Sequence, residues 1–207
     1  MTSCFERTMG AWLICILAIS ARAQSAHEGF RVVNRTLLHE PAGVVRLDAA
    51  PGDGIAWLQD KVFATGRITV EVQGADLQGQ SFVGIAFHRA SDQTFEAVYL
   101  RPFNFNSPDP ARRAHSVQYI SMPEYPWQLL REKYPAKYEA ALADPVKADS
   151  WVRLTLEIQA HEVRVFVNDG AKPILSVVRL SNNVSGGVGL WVGNNSEGRF
   201  RNLVIEP

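Results

Sequence analysis

Between Leu154 and Val167 apolar side chains return at every second position. Leu154, Leu156 and Ile158 precede Ala160-His161, and Val163, Val165 and Val167 follow it. A period of two is the signature of a strand with one buried face, so this stretch reads as a hairpin with both inner faces apolar. Residues 67–73 repeat the pattern, with Ile68, Val70 and Val72 on one side and Arg67, Thr69 and Glu71 on the other. A chain that alternates in this way over many short segments must pair them into sheets and cover one face of each.

Further strands are predicted over 44–47, 55–58, 81–89, 94–101, 114–121, 174–180, 187–192 and 199–205. Pro41-Ala42-Gly43, Gly52-Asp53-Gly54 and Asn168-Asp169-Gly170 supply turns between them. The 81–89 segment alternates less and reads as covered on both faces. Residues 94–101 place Phe95, Ala97, Tyr99 and Arg101 on one face and Glu96, Val98 and Leu100 on the other, and Pro102 ends the strand. One stretch, 125–142, has helical spacing, with Trp127, Leu130, Tyr134 and Tyr138 in a stripe interrupted at Pro135. The expectation is an all-β, antiparallel two-sheet sandwich with one helical excursion packed over a sheet face.

Arg7, the apolar run 11–19 and the small-x-small triplet Ala21-Arg22-Ala23 read as a signal peptide over 1–23, cleaved after Ala23. The run falls short of the roughly 20 residues that span a bilayer. Residues 24–207 are therefore expected to form one domain, secreted or periplasmic and without a membrane span. Cys4 and Cys15 leave with the leader, so neither a disulfide framework nor thiolate chemistry is expected. Losing Glu6, Arg7 and Arg22 from a balanced 21 and 21 leaves a net charge of −1. Nucleic-acid binding, which calls for a basic surface, is not expected.

The chemistry concentrates in one window. All five tyrosines and seven of the 11 prolines fall between Tyr99 and Pro145, so stiff loops and polar-tipped rings gather there. Arg101, Asn104, His115 and Gln118 flank the 103–113 loop and carry donors and acceptors of the kind that read sugar hydroxyls. Arg112 and Arg113 add charge for an acidic or oxidised sugar. Trp127, Tyr134 and Tyr138 offer flat faces to pyranose rings. Glu96 sits mid-strand among apolar residues, where burial raises a carboxyl pKa unless the group is paired. Asp109 and Glu139 are candidates for a second carboxylate. The five histidines form no close metal-ligand pair, so zinc is not expected; Asp53 and Asp169 leave calcium open, although both sit in ordinary turn sequences, and the expected site includes no metal and no cofactor.

At Trp151-x-x-Leu154-x-Leu156-x-Ile158, Val163-x-Val165-x-Val167-Asn168 and Gly187-x-Gly189-Leu190-Trp191-Val192 leading to Phe200-x-Asn202-Leu203, the chain resembles the concanavalin A-like lectin and glucanase superfamily. More narrowly, Phe82-Val83-Gly84-Ile85-Ala86-Phe87 before Phe95-Glu96-Ala97-Val98-Tyr99 resembles secreted domains labelled 3-keto-disaccharide hydrolase and relatives of family sixteen glycoside hydrolases. The resemblance implies a jelly roll whose concave sheet faces a glycan or small saccharide. The laminarinase-like enzymes of that superfamily carry Glu-x-Asp-x-x-Glu on one strand. The nearest match here, Glu157 to Glu162, has Gln159 at the central position and runs into the hairpin turn.

The expected site therefore places Tyr99, Arg101, Asn104, His115, Gln118, Trp127 and Tyr138 on the ligand. The main reading is a carbohydrate-binding or carbohydrate-processing jelly roll. The alternatives are a glycoside hydrolase acting through Glu96 and a second, unidentified carboxylate, and a non-catalytic structural sandwich.

Overall fold

The computed structural model describes residues 29–207. The leader expected over 1–23, with both cysteines, lies outside the described residues. The chain opens with β1 (Phe30–Val33), β2 (Leu37–Glu40), β3 (Val44–Leu47), β4 (Gly54–Leu58) and β5 (Gly66–Gln73). Then come β6 (Val83–Arg89), β7 (Phe95–Leu100), helix α1 (Pro110–Arg113), β8 (Val117–Met122), helix α2 (Trp127–Lys133) and β9 (Glu139–Ala140). It closes with β10 (Val152–Ile158), β11 (Glu162–Val167), β12 (Leu175–Val178), β13 (Gly187–Val192) and β14 (Gly198–Glu206). These strands make two seven-stranded antiparallel sheets, the first ordered β1-β4-β13-β6-β7-β8-β9 and the second β12-β11-β10-β5-β14-β3-β2.

The second sheet follows the sequence pattern. Ile68, Val70 and Val72 of β5, Leu154, Leu156 and Ile158 of β10, and Val163 and Val165 of β11 are buried. Their alternate neighbours pair on the opposite face, Arg67 with Glu157, Thr69 with Thr155, and Glu71 with Arg153 and Arg201. That face is solvated, as one-sided burial predicts.

The first sheet is packed on both faces, and β6 and β7 are buried almost end to end. Glu96, Val98 and Leu100 of β7 look toward the second sheet, because Arg179, immediately after β12 of that sheet, reaches Glu96. Phe95, Ala97 and Tyr99 look outward. Register explains how the outward face closes over. Gly84 lies opposite Tyr99 on one side and Trp191 on the other. With no side chain at Gly84, the two rings meet above it, 4.7 Å apart. Trp57 and Phe95 approach in the same way at 5.7 Å, and a Cβ on Gly189 would stand 2.7 Å from the Trp57 ring.

The excursion over 125–142 is shorter than expected. Helix α2 starts after Pro126 and ends at Tyr134, just ahead of Pro135, and only Leu130 of it is buried. The chain then straightens into β9, which pairs Ala140 with Val117 and Glu139 with Gln118, while Tyr119 N donates to Tyr138 O. Without β9 the edge of β8 would leave backbone groups unpaired, and satisfying them overrides the helical stripe. The strand expected from Ala114 starts only at Val117, because Asp109 caps a short helix, α1, through Ala111 N at 2.8 Å.

Gly84→Val tests the close approach of β6 and β7. Its Cβ would stand 2.1 Å from Val98 O, so the substitution is expected to lower unfolding free energy in urea by about 1–3 kcal/mol or more, as overpacking does. Gly187→Ala, whose Cβ meets nothing nearer than 3.4 Å, is expected to change it little. Equal losses at both positions would contradict the packing described.

Candidate functional site

Strand β7 carries candidate groups on both faces, and the two faces have opposite character. On the inner face Glu96 is fully buried. Its Oε2 lies 2.6 Å from Arg179 Nη2 and 3.0 Å from His88 Nδ1, and its Oε1 accepts from Tyr119 Oη at 2.6 Å. Arg179 also donates to Ala160 O at 2.9 Å and to Asn183 O, and Leu180 N donates to Tyr119 Oη at 3.0 Å. The far edge of the His88 ring, Nε2, donates to Ala64 O at 2.7 Å. Burial alone would raise the Glu96 pKa, but its contacts with His88, Arg179 and Tyr119 outweigh it and hold the carboxyl below its ordinary 4.5.

Such a group is ionised, enclosed and fully partnered. A glycosidase acid needs a raised pKa and a path to the leaving oxygen, whereas Glu96 has a lowered pKa and no exposed surface. Asp109 is spent as the cap of α1. Glu139 is buried against Arg131, with Nη2 to Oε2 at 2.9 Å, and lies 2.7 Å from His115 Nδ1, though not in hydrogen-bond geometry.

On the outer face a pocket of about 320 Å³ opens beside β7 and β8. Tyr99, Trp191, Phe82 and Trp127 form its aromatic lining, Ile120 and Met122 add apolar surface, and Asp53, Gln128 and Asn194 are its polar groups. Tyr99 and Trp191 keep 1% and 3% of their surface, whereas Trp127 at the start of α2 keeps 37%. Asp53 is open to solvent, yet protein atoms crowd its carboxyl enough to raise its pKa above the ordinary 3.8, with Arg35 pulling the other way. Burial pushes the Tyr99 phenol up to about 12, so it stays protonated at neutral pH.

Of the residues expected on the ligand, Tyr99 and Trp127 line this pocket; the others hold it in place or lie elsewhere. Arg101 is buried and donates from Nη2 to Tyr99 Oη at 2.9 Å and from Nη1 to His115 O at 2.9 Å. Both of its Nη atoms also approach Gln118 Oε1, at 3.2 and 3.3 Å. Its guanidinium lies 5.0 Å from the Tyr99 ring centroid, 5.8 Å from Phe82 and 5.6 Å from Trp127. Gln118 Nε2 donates to Tyr119 O and Tyr138 O, and Asn104 Nδ2 donates to His115 O at 3.3 Å. Tyr138 is buried, stacked on Tyr119 and edge-on to Tyr134. Sequence reasoning missed Asp53, Asn194, Gln128, Phe82 and Trp191 as pocket residues, since only strand order and register bring them to Tyr99.

Among the described residues no group of three His, Cys, Asp or Glu is placed to hold a metal ion, and no helix is long and apolar enough to cross a membrane. No protein-family model matches the sequence, and no curated protein matches it. Solved structures do. The carbohydrate-binding module CBM66 from Bacillus subtilis superposes with a TM-score of 0.62 at 14% identity, covering 86% of this chain and 96% of that one. The exoplasmic/lumenal domain of VIP36, in its Ca2+/Man3GlcNAc-bound form, gives a TM-score of 0.54 at 13% identity, covering 86% and 87%. A β-glucanase from Bacillus licheniformis gives 0.52 at 10% identity, covering 82% and 80%. These likenesses establish the fold as a concanavalin A-like jelly roll.

Glu96→Gln leaves the Arg179 charge buried without its counter-ion and is expected to destabilise the protein by roughly 3–5 kcal/mol. Because the folded Glu96 pKa lies below its unfolded value, its contribution is present above the ordinary 4.5 and is lost as pH falls below it. Urea midpoints of wild type and variant are therefore expected to converge on acidification. A difference independent of pH between 3 and 7 would contradict the ion-pair assignment.

Proposed function

We propose that the protein binds a saccharide in the Trp127 pocket without cleaving it, and that it does so as a secreted or periplasmic domain. The observation that carries this reading is the pocket itself. A half-open indole shares a recess with two nearly buried rings, and a carboxylate and two amides, Asp53, Gln128 and Asn194, supply acceptors and donors beside them. Sugars present an apolar ring face and a rim of hydroxyls, which is the pattern this lining complements. The carbohydrate-binding and lectin domains among the structural neighbours support the same reading.

In this reading Tyr99 and Trp127 touch the ligand, while Arg101, with Gln118, Asn104 and the backbone of His115, fixes their positions. Tyr138 belongs to the packing under α2 rather than to the ligand. Hydrolysis is the weaker reading because it needs two carboxylates on either side of the scissile bond. Among the described residues Asp53 is the one carboxylate that lines the pocket, and Glu96 faces the other way.

Calorimetry with a glycan selected on an array tests the proposal. Trp127→Ala is expected to weaken binding by ~2 kcal/mol, the scale of an aromatic anchor, and Asp53→Asn by ~1 kcal/mol, the scale of a net hydrogen bond. Affinity is also expected to fall on acidification at a pH above 3.8, as the raised Asp53 pKa requires. Release of new reducing ends from the bound glycan by wild type, abolished in Asp53→Asn, would instead make the protein a hydrolase.

A further inference from the structure

A second hollow, of about 590 Å³ and more polar, opens where the connection between β5 and β6, the turn Pro102–Asn104 after β7 and the segment before β10 meet. Two cations, Arg112 and Lys147, and two carboxylates, Asp76 and Asp149, line it. Arg112 hydrogen-bonds Gln78, and none of the four side chains forms an ion pair among the described residues. Charges of both signs held apart around one concavity offer donors and acceptors together. An anionic or cationic ligand meets repulsion from half of them, whereas a neutral, polyhydroxylated one satisfies all.

This hollow adjoins the Trp127 pocket. Phe103 in its wall meets Phe82 edge-on at a centroid distance of 5.5 Å, and Phe82 lines the other pocket. One aromatic pair thus separates the two recesses.

We propose that the hollow is a second subsite for the same ligand, so that the protein recognises a neutral oligosaccharide long enough to cross the Phe82–Phe103 pair rather than a single sugar. The proposal rests on the saccharide reading of the Trp127 pocket. Joining two subsites makes the second contact intramolecular, so affinity rises with chain length once the chain reaches both.

The test is calorimetry on the intact protein with β-linked gluco-oligosaccharides and α-linked manno-oligosaccharides, each as disaccharide and hexasaccharide. Wild type is expected to bind the hexasaccharide of its preferred series about tenfold more tightly than the disaccharide, a difference of ~1.4 kcal/mol. The double variant Lys147→Ala/Asp149→Ala is expected to lose that advantage and keep the disaccharide affinity, which also shows that it is folded. Trp127→Ala is expected to weaken both. A chain-length advantage absent from wild type, or intact in the double variant, overturns the second subsite and leaves the Trp127 reading standing. Binding of neither series, or binding indifferent to Trp127→Ala, overturns both.

Discussion

The ion pair between Glu96 and Arg179 sets what the rest of the molecule can do. Both side chains are withdrawn from water, and every polar atom of the two has a partner: Tyr119 donates to the carboxylate, and the guanidinium donates to the carbonyls of Ala160 and Asn183 and lies 2.7 Å from His88 Nδ1. Desolvating two charges is expensive, so a pair of this kind adds little net stability. It does forbid alternatives. Side chains of a strand alternate, and a slip of β7 by one residue would turn Glu96 outward and force Tyr99 between the sheets, leaving Arg179 charged and alone. The buried pair therefore dictates which face of β7 looks out, and with it the aromatic face on which the pocket is built.

That face is tied together by its own side chains. Arg101 ties the Tyr99 hydroxyl to Gln118 and to the His115 carbonyl, and it lies against the rings of Phe82 and Trp127. Arg131, which pairs with Glu139 of β9, stands 4.8 Å from the centroid of the same Trp127 ring. An indole held by two guanidiniums has little freedom left to lose, and pre-ordering of this kind lowers the entropic cost of binding. The polar residues that looked like sugar readers in the sequence have thus become the frame that holds the aromatic ones.

The strands were legible because burial in a sandwich writes itself as a period of two, and β5, β10 and β11 follow that period residue by residue. The orientation of β7 was legible in part: alternation separated Glu96 from Tyr99 but could not tell which side met the second sheet. The partner of Glu96 was not legible because Arg179 is 83 residues away and only the packing of the sheets brings it near. The 125–142 helix was overestimated because local spacing carries no record of the unpaired edge of β8, which captured β9. Trp191 escaped notice as a pocket residue, and Gly84 as the gap over which its ring meets Tyr99, for the same reason, since strand order β13-β6-β7 is a property of the whole fold.

The measurement that bears most directly on a sugar-binding outer face is a titration followed by the indole N–H resonances of the tryptophans. On adding a bound oligosaccharide, the Trp127 and Trp191 signals are expected to shift with saturation. Trp151, which lies under Arg201 at 4.2 Å and away from the pocket, is expected to stay still. Movement of Trp151 with Trp127 and Trp191 unmoved would place the ligand elsewhere and contradict the assignment.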